Sequence, residues 1–381
     1  MRILYISERP PYPFFLGGAA RCAHEIMFSL VQNQQAECKA VGDSAFSNPP
    51  WSFPESEDYA ALDIVAVNEQ GASGEIDCHY PVQVIENFTQ QLANYIDMQQ
   101  PDIIWAQMEG AAFVVEQAYK KNIHSVLFVH DAEFDVAELI AISRQVSGIV
   151  CSSRFLANKV KKASGVKAEV VYPCPKTDFG VKGDPEGFLT MINPHAVKGF
   201  ATFLDIARAL PEEKFLLVES WKLDQISINA LTEQLESLPN VKFIRRVSDM
   251  SEVYRQTRLL LVPSRWEEGF GMVAVEAQSC GIPVIASMRG GLPESVGEGG
   301  VLIKDYQNKD AWLKEIGRVL RDADYYAALS KLAYQHAHNE LLSTQGSARR
   351  FLNFCNALLT QQVGRVSRTS LVDKIRGFIK R

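Results

Sequence analysis

Two carboxylates, Glu268 and Glu276, flank a glycine-bounded turn in the stretch RWEEGFGMVAVEA (265–277), directly after the apolar run RLLLVPS. A helix starting near Phe270 or Gly271 has unpaired N–H groups in its first turn and the positive end of its dipole there. Gly269 and Gly271 let that backbone approach a ligand closely, which suits a diphosphate. A carboxylate beside bound phosphate is repelled, so Glu268 and Glu276 are expected to hold neutral hydroxyls at its two ends, a nucleotide ribose on one side and a sugar on the other. The competing reading is that both glutamates merely cap and solvate a surface helix.

Other segments carry related chemistry. The run FLTMIN is followed by Asn193-Pro194-His195-Ala196-Val197-Lys198-Gly199, which puts Lys198 at an expected helix start. A cation there opposes the helix dipole unless an anion sits beside it. The pair Gly290-Gly291, in MRGGLPE, could form an anion-accepting turn, and Gly17-Gly18 opens an amphipathic stretch near the N-terminus.

These residues stand at the ends of short Val-, Ile- and Leu-rich runs. The spacing predicts strands over 2–7, 63–67, 102–107, 125–130, 148–153 and 168–173, then over 188–193, 214–219, 241–245, 258–263 and 283–287. The runs do not alternate with polar residues, the pattern of parallel strands buried on both faces, and amphipathic segments separate them. The Pro-, Gly- and charge-rich stretch 174–187 reads as a linker between two doubly wound α/β halves. Ligands of such sheets gather outside the carboxyl ends of the strands, where the singled-out residues lie.

A chain of 381 residues exceeds one ordinary core, and 47% apolar with 22% charged residues describes a globular protein. The net charge of −6 argues against a nucleic-acid partner. No apolar run approaches a bilayer span, and MRILYIS reads as a buried strand rather than a leader. The seven cysteines are scattered without a C-x-x-C pair, which fits a reducing cytoplasm and makes a metal site unexpected.

With PSRWEEGFGMVAVEAQSCGIPVIAS (263–287), the E-x7-E spacing of Glu268 and Glu276, the GGxPE of Gly290, Gly291, Pro293 and Glu294, the KG of Lys198-Gly199, Gly17-Gly18, and Val129-His130-Asp131, the chain resembles a retaining glycosyltransferase of family 4 from residue 1 to about 360. The resemblance implies a GT-B fold: an acceptor-side Rossmann-like domain at 1–175 and a nucleotide-sugar domain at 176–360, facing a central cleft. It implies that Glu276 holds the ribose and Glu268 the donor sugar. Lys198 would neutralise the diphosphate, aided by backbone at Gly269, Phe270, Gly271, Met272 and Val273 and by Gly17 and Gly18. His130 would face the donor sugar and support the transition state, so His130, Glu268 and Lys198 form the expected catalytic set.

Two positions depart from that family, which usually places an arginine where this chain has Asn193 and commonly a glycine where it has Arg245, followed by Arg246. Arg245, Arg246 or His195 is expected to supply the missing charge, with Asn193 and Arg245 counted among the donor-binding residues. The implied reaction retains anomeric configuration by front-side attack, the leaving diphosphate taking the acceptor proton. The co-substrate is a UDP-, GDP- or ADP-linked sugar, with no further cofactor and no metal. Glu109, Asp131 and Glu133 are candidates for a saccharide or lipid-linked acceptor, in polysaccharide or glycolipid synthesis. The PPYPFF segment (10–15) either stacks on a ligand or packs its loop.

The tail 361–381 pairs a basic face with an apolar stripe, which suits the inner surface of an anionic membrane or a helix packing back on the N-terminal half. A nicotinamide oxidoreductase is disfavoured, because no G-x-G-x-x-G follows the first strand. A nucleotide-sugar epimerase and a non-catalytic sugar-nucleotide binder on the same scaffold are the remaining alternatives.

Overall fold

Apolar runs pair side by side in two separate sheets. The computed structural model describes residues 1–45, 59, 62, 64–70, 73–221, 223–247 and 249–361. These form two units: residues 1–152, 156–171 and 344–361 in the first, residues 153–155 and 172–343 in the second. The division differs from boundaries at 175 and 360 chiefly because the last described helix, Thr344–Leu359, belongs with the first unit. Its Phe351 is fully buried, 4.3 Å from the Trp105 ring.

In the first unit the strands among the described residues are β1 (Arg2–Ser7), β2 (Glu37–Asp43), β3 (Ala66–Gln70), β4 (Ser73–Asp77), β5 (Pro81–Ile85), β6 (Ile103–Gln107), β7 (His124–Val129), β8 (Gly148–Cys151) and β9 (Glu169–Val170). Their order is β3-β4-β5-β2-β1-β6-β7-β8-β9. The run β2-β1-β6-β7-β8 is parallel, as expected of strands buried on both faces. The edge is not. β3 pairs antiparallel with β4, and β4 with β5, so the expected uniformly parallel sheet holds from β5 to the opposite edge at β9 and fails at the β3-β4 edge. The strand expected at 63–67 lies instead at Ala66–Gln70, and Asp63 falls outside the described residues. The strand expected over 168–173 shrinks to two residues, Glu169–Val170.

The second unit contains β10 (Phe188–Ile192), β11 (Phe215–Val218), β12 (Val241–Ile244), β13 (Thr257–Val262), β14 (Val284–Ser287) and β15 (Gly300–Ile303), all parallel, in the order β12-β11-β10-β13-β14-β15. Counted from the unit's first strand this is 3-2-1-4-5-6, the doubly wound order whose switch point lies between β10 and β13. Successive residues of β13 feed opposite cores: Leu259 and Leu261 join Phe203, Phe215 and Trp312, while Leu260 and Val262 join Ala274, Val284 and Leu292. Each such fully buried side chain contributes roughly 1.5–3 kcal/mol.

The stretch 174–187 has neither helix nor strand, yet it is seated on this unit. Gly183 and Asp184 donate their N–H groups to Cys280 and Thr257. All seven cysteines are buried, and none forms a disulfide. Among the described residues no helix is long and apolar enough to cross a membrane. The tail from 362 lies outside the described residues.

Candidate active site

The switch point brings the chain after β10 against the chain after β13. Asn193 leaves β10 in a left-handed conformation (φ 70°) and is buried, its side-chain Oδ1 without a hydrogen-bond partner. A 3₁₀ turn, Ala196–Lys198, follows and ends at Gly199 (φ 84°), where a Cβ would fall 1.8 Å from the Pro263 carbonyl oxygen. Only glycine fits there. Val197 accepts the N–H groups of Arg265 (2.8 Å) and Trp266 (2.9 Å), locking the two loops together.

That lock sets Lys198 Nζ 2.8 and 2.9 Å from the two carboxylate oxygens of Glu268. Ser264 Oγ donates to Glu268 Oε1 at 2.8 Å, and the Trp221 ring lies 5.1 Å from the same ammonium. Only 19% of the Lys198 side chain and 12% of Glu268 are exposed, so both charges sit in a partly desolvated recess that strengthens their pairing. Lys198 precedes the helix Phe200–Ala209 rather than starting it, and Glu268 answers its charge.

Gly290 and Gly291 do not form the anion-accepting turn expected of them. A Cβ on Gly290 would meet Glu268 backbone oxygen at 2.4 Å, one on Gly291 would meet Gly269 oxygen at 2.5 Å, and Gly291 N–H is given to Glu268 oxygen at 2.7 Å. The pair is packing that shapes the Glu268 loop. Glu294, from the same motif, accepts the N–H groups of Arg154 and Phe155 at 2.8 Å each and the Tyr172 hydroxyl at 3.0 Å.

The helix after the turn is Met272–Ser279, with Gly271 (φ 99°) at its N-cap and no side-chain cap, so the N–H groups of Met272 and Val273 are available to a ligand. Phe270 is 4% exposed and packs on Tyr172, which leaves only its backbone for the role expected of it. Glu276, in the second turn, receives the hydroxyl of buried Tyr254 at 2.9 Å.

Beside these, Arg245, expected among the donor-binding residues, is engaged by Glu219 in the free protein. Glu219 ends β11 and is 3% exposed; its carboxylate accepts Arg245 Nε (2.5 Å), Leu223 N–H (2.8 Å) and Arg246 N–H (3.3 Å). Burial opposes the charge on Glu219, but those three donors outweigh it and hold the carboxyl below its ordinary range. His195 is exposed with its ring 5.5 Å from Trp221. Sequence reasoning passed over Glu219, Trp221, Ser264 and Tyr254. The available signal was an acid closing the apolar run KFLLVE.

In the first unit, His130, Asp131 and Glu109 line one cavity of about 330 Å³, together with Glu133 and Phe134. No lysine or arginine is among the described residues that line it. Glu109 forms an ion pair with Arg9. Gln107 donates Nε2–H to Ala19 oxygen, so its Oε1 is the atom that accepts His130 Nε2–H at 3.0 Å. Burial pushes the imidazole down to about 3, so the ring is neutral at physiological pH and carries Nδ1 as its unprotonated nitrogen. Gly17 caps the helix Gly18–Gln32, with Gly18 exposed at its first position.

Residues 180–336 match the family described as glycosyl transferases group 1. The D-inositol 3-phosphate glycosyltransferase of Salinispora tropica is 44% identical over 93 residues, 24% of this chain and 19% of that protein. Its namesake from Mycobacteroides abscessus is 31% identical over 206 residues, 48% of this chain and 45% of that protein. The chain thus spans less than half the length of the curated relatives it matches. Among solved structures, Anabaena HepE in complex with UDP superposes with a TM-score of 0.73 at 18% identity, covering 94% of this chain and 100% of that one. Sucrose-phosphate synthase from Thermosynechococcus elongatus gives 0.73 at 17%, covering 94% and 99%. The chain has the α/β fold of these proteins, the GT-B class, and its second unit carries the stretch that matches the group 1 glycosyl transferases.

Proposed function

We propose that the protein is a retaining, metal-independent glycosyltransferase that moves a sugar from a nucleotide diphosphate sugar to an acceptor hydroxyl. The observation that carries this reading is the Lys198–Glu268 pair at the switch point, beside the open end of the helix Met272–Ser279. A diphosphate would take Lys198 and the N–H groups of Met272 and Val273, leaving Glu268 for the sugar hydroxyls and Glu276 for the ribose. Positive groups placed where charge develops on the leaving diphosphate stabilise its departure, and the diphosphate oxygen accepts the acceptor's proton. With Arg245 held by Glu219, Lys198 is the principal side-chain cation of this site.

Solved neighbours contain UDP, UDP-glucose, and UDP with glucose, which favours a UDP-linked donor. The acceptor would enter the cavity lined by His130, Glu109 and Asp131, and neutral His130, facing the donor sugar, would accept a hydrogen bond from a sugar hydroxyl at Nδ1. The described lining offers carboxylates and a neutral imidazole, groups that suit the hydroxyls of a saccharide or of the saccharide end of a lipid-linked acceptor, whereas the relatives' names specify D-inositol 3-phosphate. The basic tail 361–381 would bring the enzyme to such a lipid-linked acceptor at a membrane surface.

Thermal shift against UDP-, GDP- and ADP-sugars identifies the donor by selective stabilisation. NMR of the product made with neutral acceptors then reads anomeric configuration. Inversion, or activity lost to chelator and restored by Mn²⁺, overturns the corresponding part of the reading. Donor consumed without any acceptor points instead to the epimerase alternative.

A further inference from the structure

A second cavity, of about 1170 Å³, opens within the second unit on the opposite side of the sheet, at the amino ends of the strands. Its floor is set by Arg258, at the start of β13, and by Cys280 and Gly281, just before β14. One wall is the helix Ala323–Ala337, which presents Tyr326, Ser330 and Tyr334 at intervals of four residues, a single helical stripe. Three hydrogen bonds fix the frame: Ser330 Oγ to Gly281 oxygen (2.6 Å), Tyr326 hydroxyl to Arg258 oxygen (2.9 Å), and Arg258 Nη2 to Leu320 oxygen (3.1 Å). These bonds tie the helix to the floor and fix the shape of the cavity.

The charge of this cavity runs against that of the chain. The whole protein is acidic at −6, yet the lining gathers Lys182, Arg258, Arg321 and Lys331 against the one carboxylate Glu186. Arg258 is partly answered by Glu213 at 3.7 Å, and its buried Nε has no hydrogen-bond partner. Next to these cations lie the exposed ring of Tyr334 and the half-buried ring of Tyr326. Apolar walls with a few convergent cations are the composition of a small-molecule site.

The geometry points to a second binding site for a small amphipathic anion, an aromatic or acyl body carrying a phosphate, sulfonate or carboxylate. The body lies along Tyr326 and Tyr334, and the anionic group meets Arg258, Arg321 and Lys331. The floor continues directly from the helix Met272–Ser279, which carries Glu276, so an occupied cavity abuts the element that holds the proposed ribose contact.

The test uses the full chain and two dyes, anionic 1-anilinonaphthalene-8-sulfonate and neutral N-phenyl-1-naphthylamine, titrated by fluorescence. The sulfonate dye binds saturably and at least about tenfold more tightly than the neutral one, a difference that one charge-assisted contact supplies. The double variant Arg321→Glu/Lys331→Glu weakens sulfonate binding by at least the same factor. Ala327→Trp, which fills the cavity from the same helix, abolishes it. All three positions are solvent-exposed, so the variants retain the fold, and unchanged thermal unfolding confirms that. Equal affinity for both dyes, variants that bind like the parent, or displacement of the dye by UDP in simple competition would each overturn the assignment.

Discussion

Arg245 and Glu219 stand at the ends of neighbouring strands, β12 and β11, joined by a 2.5 Å bond from Nε to Oε2. The Glu219 side chain is 1% exposed while Arg245 is 57% exposed, so the buried carboxylate needs the arginine more than the arginine needs it. Arg245→Ala should therefore cost stability, about 1–3 kcal/mol for a lost bond to a charged buried group. It should leave the donor KM within about threefold, since only a charge-assisted contact made to the donor itself would be worth more. Denaturant melts with donor kinetics separate the two effects. A stable variant with a tenfold weaker donor would return Arg245 to the phosphate site.

Lys198 and Glu268 neutralise each other in the free protein, and both are assigned to the donor when it is bound. Lys198→Ala is expected to lower kcat/KM by about 100- to 1000-fold, the range for removing one preorganised contact to developing charge. Glu268→Gln keeps the shape and some hydrogen bonding and should fall about as far through loss of sugar positioning. In the double variant the losses should be far from additive, because each single change leaves its partner's charge unanswered in the same recess. Strictly multiplicative losses would mean that the pair does not act as a unit.

Sequence patterning reached the second unit well and the edge of the first poorly, for a physical reason. Strands such as FLLV and IIWAQ are buried along their whole length, so each reads as an unbroken apolar run. β5, PVQVI, buries every other residue beside an antiparallel partner, and that short alternation is easily taken for loop. The site divides in the same way. Glu268 and Lys198 drew notice because they follow strand ends, and Glu276 because it lies eight residues after Glu268 in the next helix; their roles were implied by the family resemblance. Glu219–Arg245 depends on which strands lie side by side, and the hold of Glu294 on Arg154 spans 140 positions of chain, which no local spacing reveals. Gly290 and Gly291 were visible as glycines, but a glycine needed for ligand approach and one needed for packing look the same until the neighbouring backbone is placed.

Gly199, Gly290 and Gly180 all have positive φ, at 84°, 60° and 63°, and differ in their surroundings. A Cβ on Gly180 meets nothing within 4 Å, so Gly180→Ala isolates the backbone strain, about 1 kcal/mol. Gly199→Ala adds a collision with the Pro263 backbone and should exceed that by at least about 2 kcal/mol. Gly290→Ala presses on the backbone of Glu268, so activity should fall by more than its stability loss accounts for. Thermal melts of the three variants, alongside kcat at a temperature where each stays folded, check this ordering. Equal stability losses at 180 and 199 would show that the tight turn at Gly199 can relax.

His130 makes a pH prediction with a definite sign. Its imidazole is held neutral down to about 3, against an ordinary value of 6.5, because desolvation disfavours the charged ring. Between those values the unfolded chain binds a proton that the folded chain does not, so stability falls as pH drops through 6.5 and the loss levels off near 3. The steepest contribution from one such group is about 1.4 kcal/mol per pH unit, and the partial exposure of the ring makes it smaller. His124 and His336 are lowered in the same direction by burial, so part of the slope survives without His130. His130→Asn, compared with the parent by urea denaturation at about pH 7 and about pH 5, should therefore narrow the stability gap between the two conditions without closing it. Parallel pH dependences in the two proteins would place His130 in a hydrated setting, able to carry charge, and would remove the argument that it meets a sugar hydroxyl as a neutral hydrogen-bond acceptor.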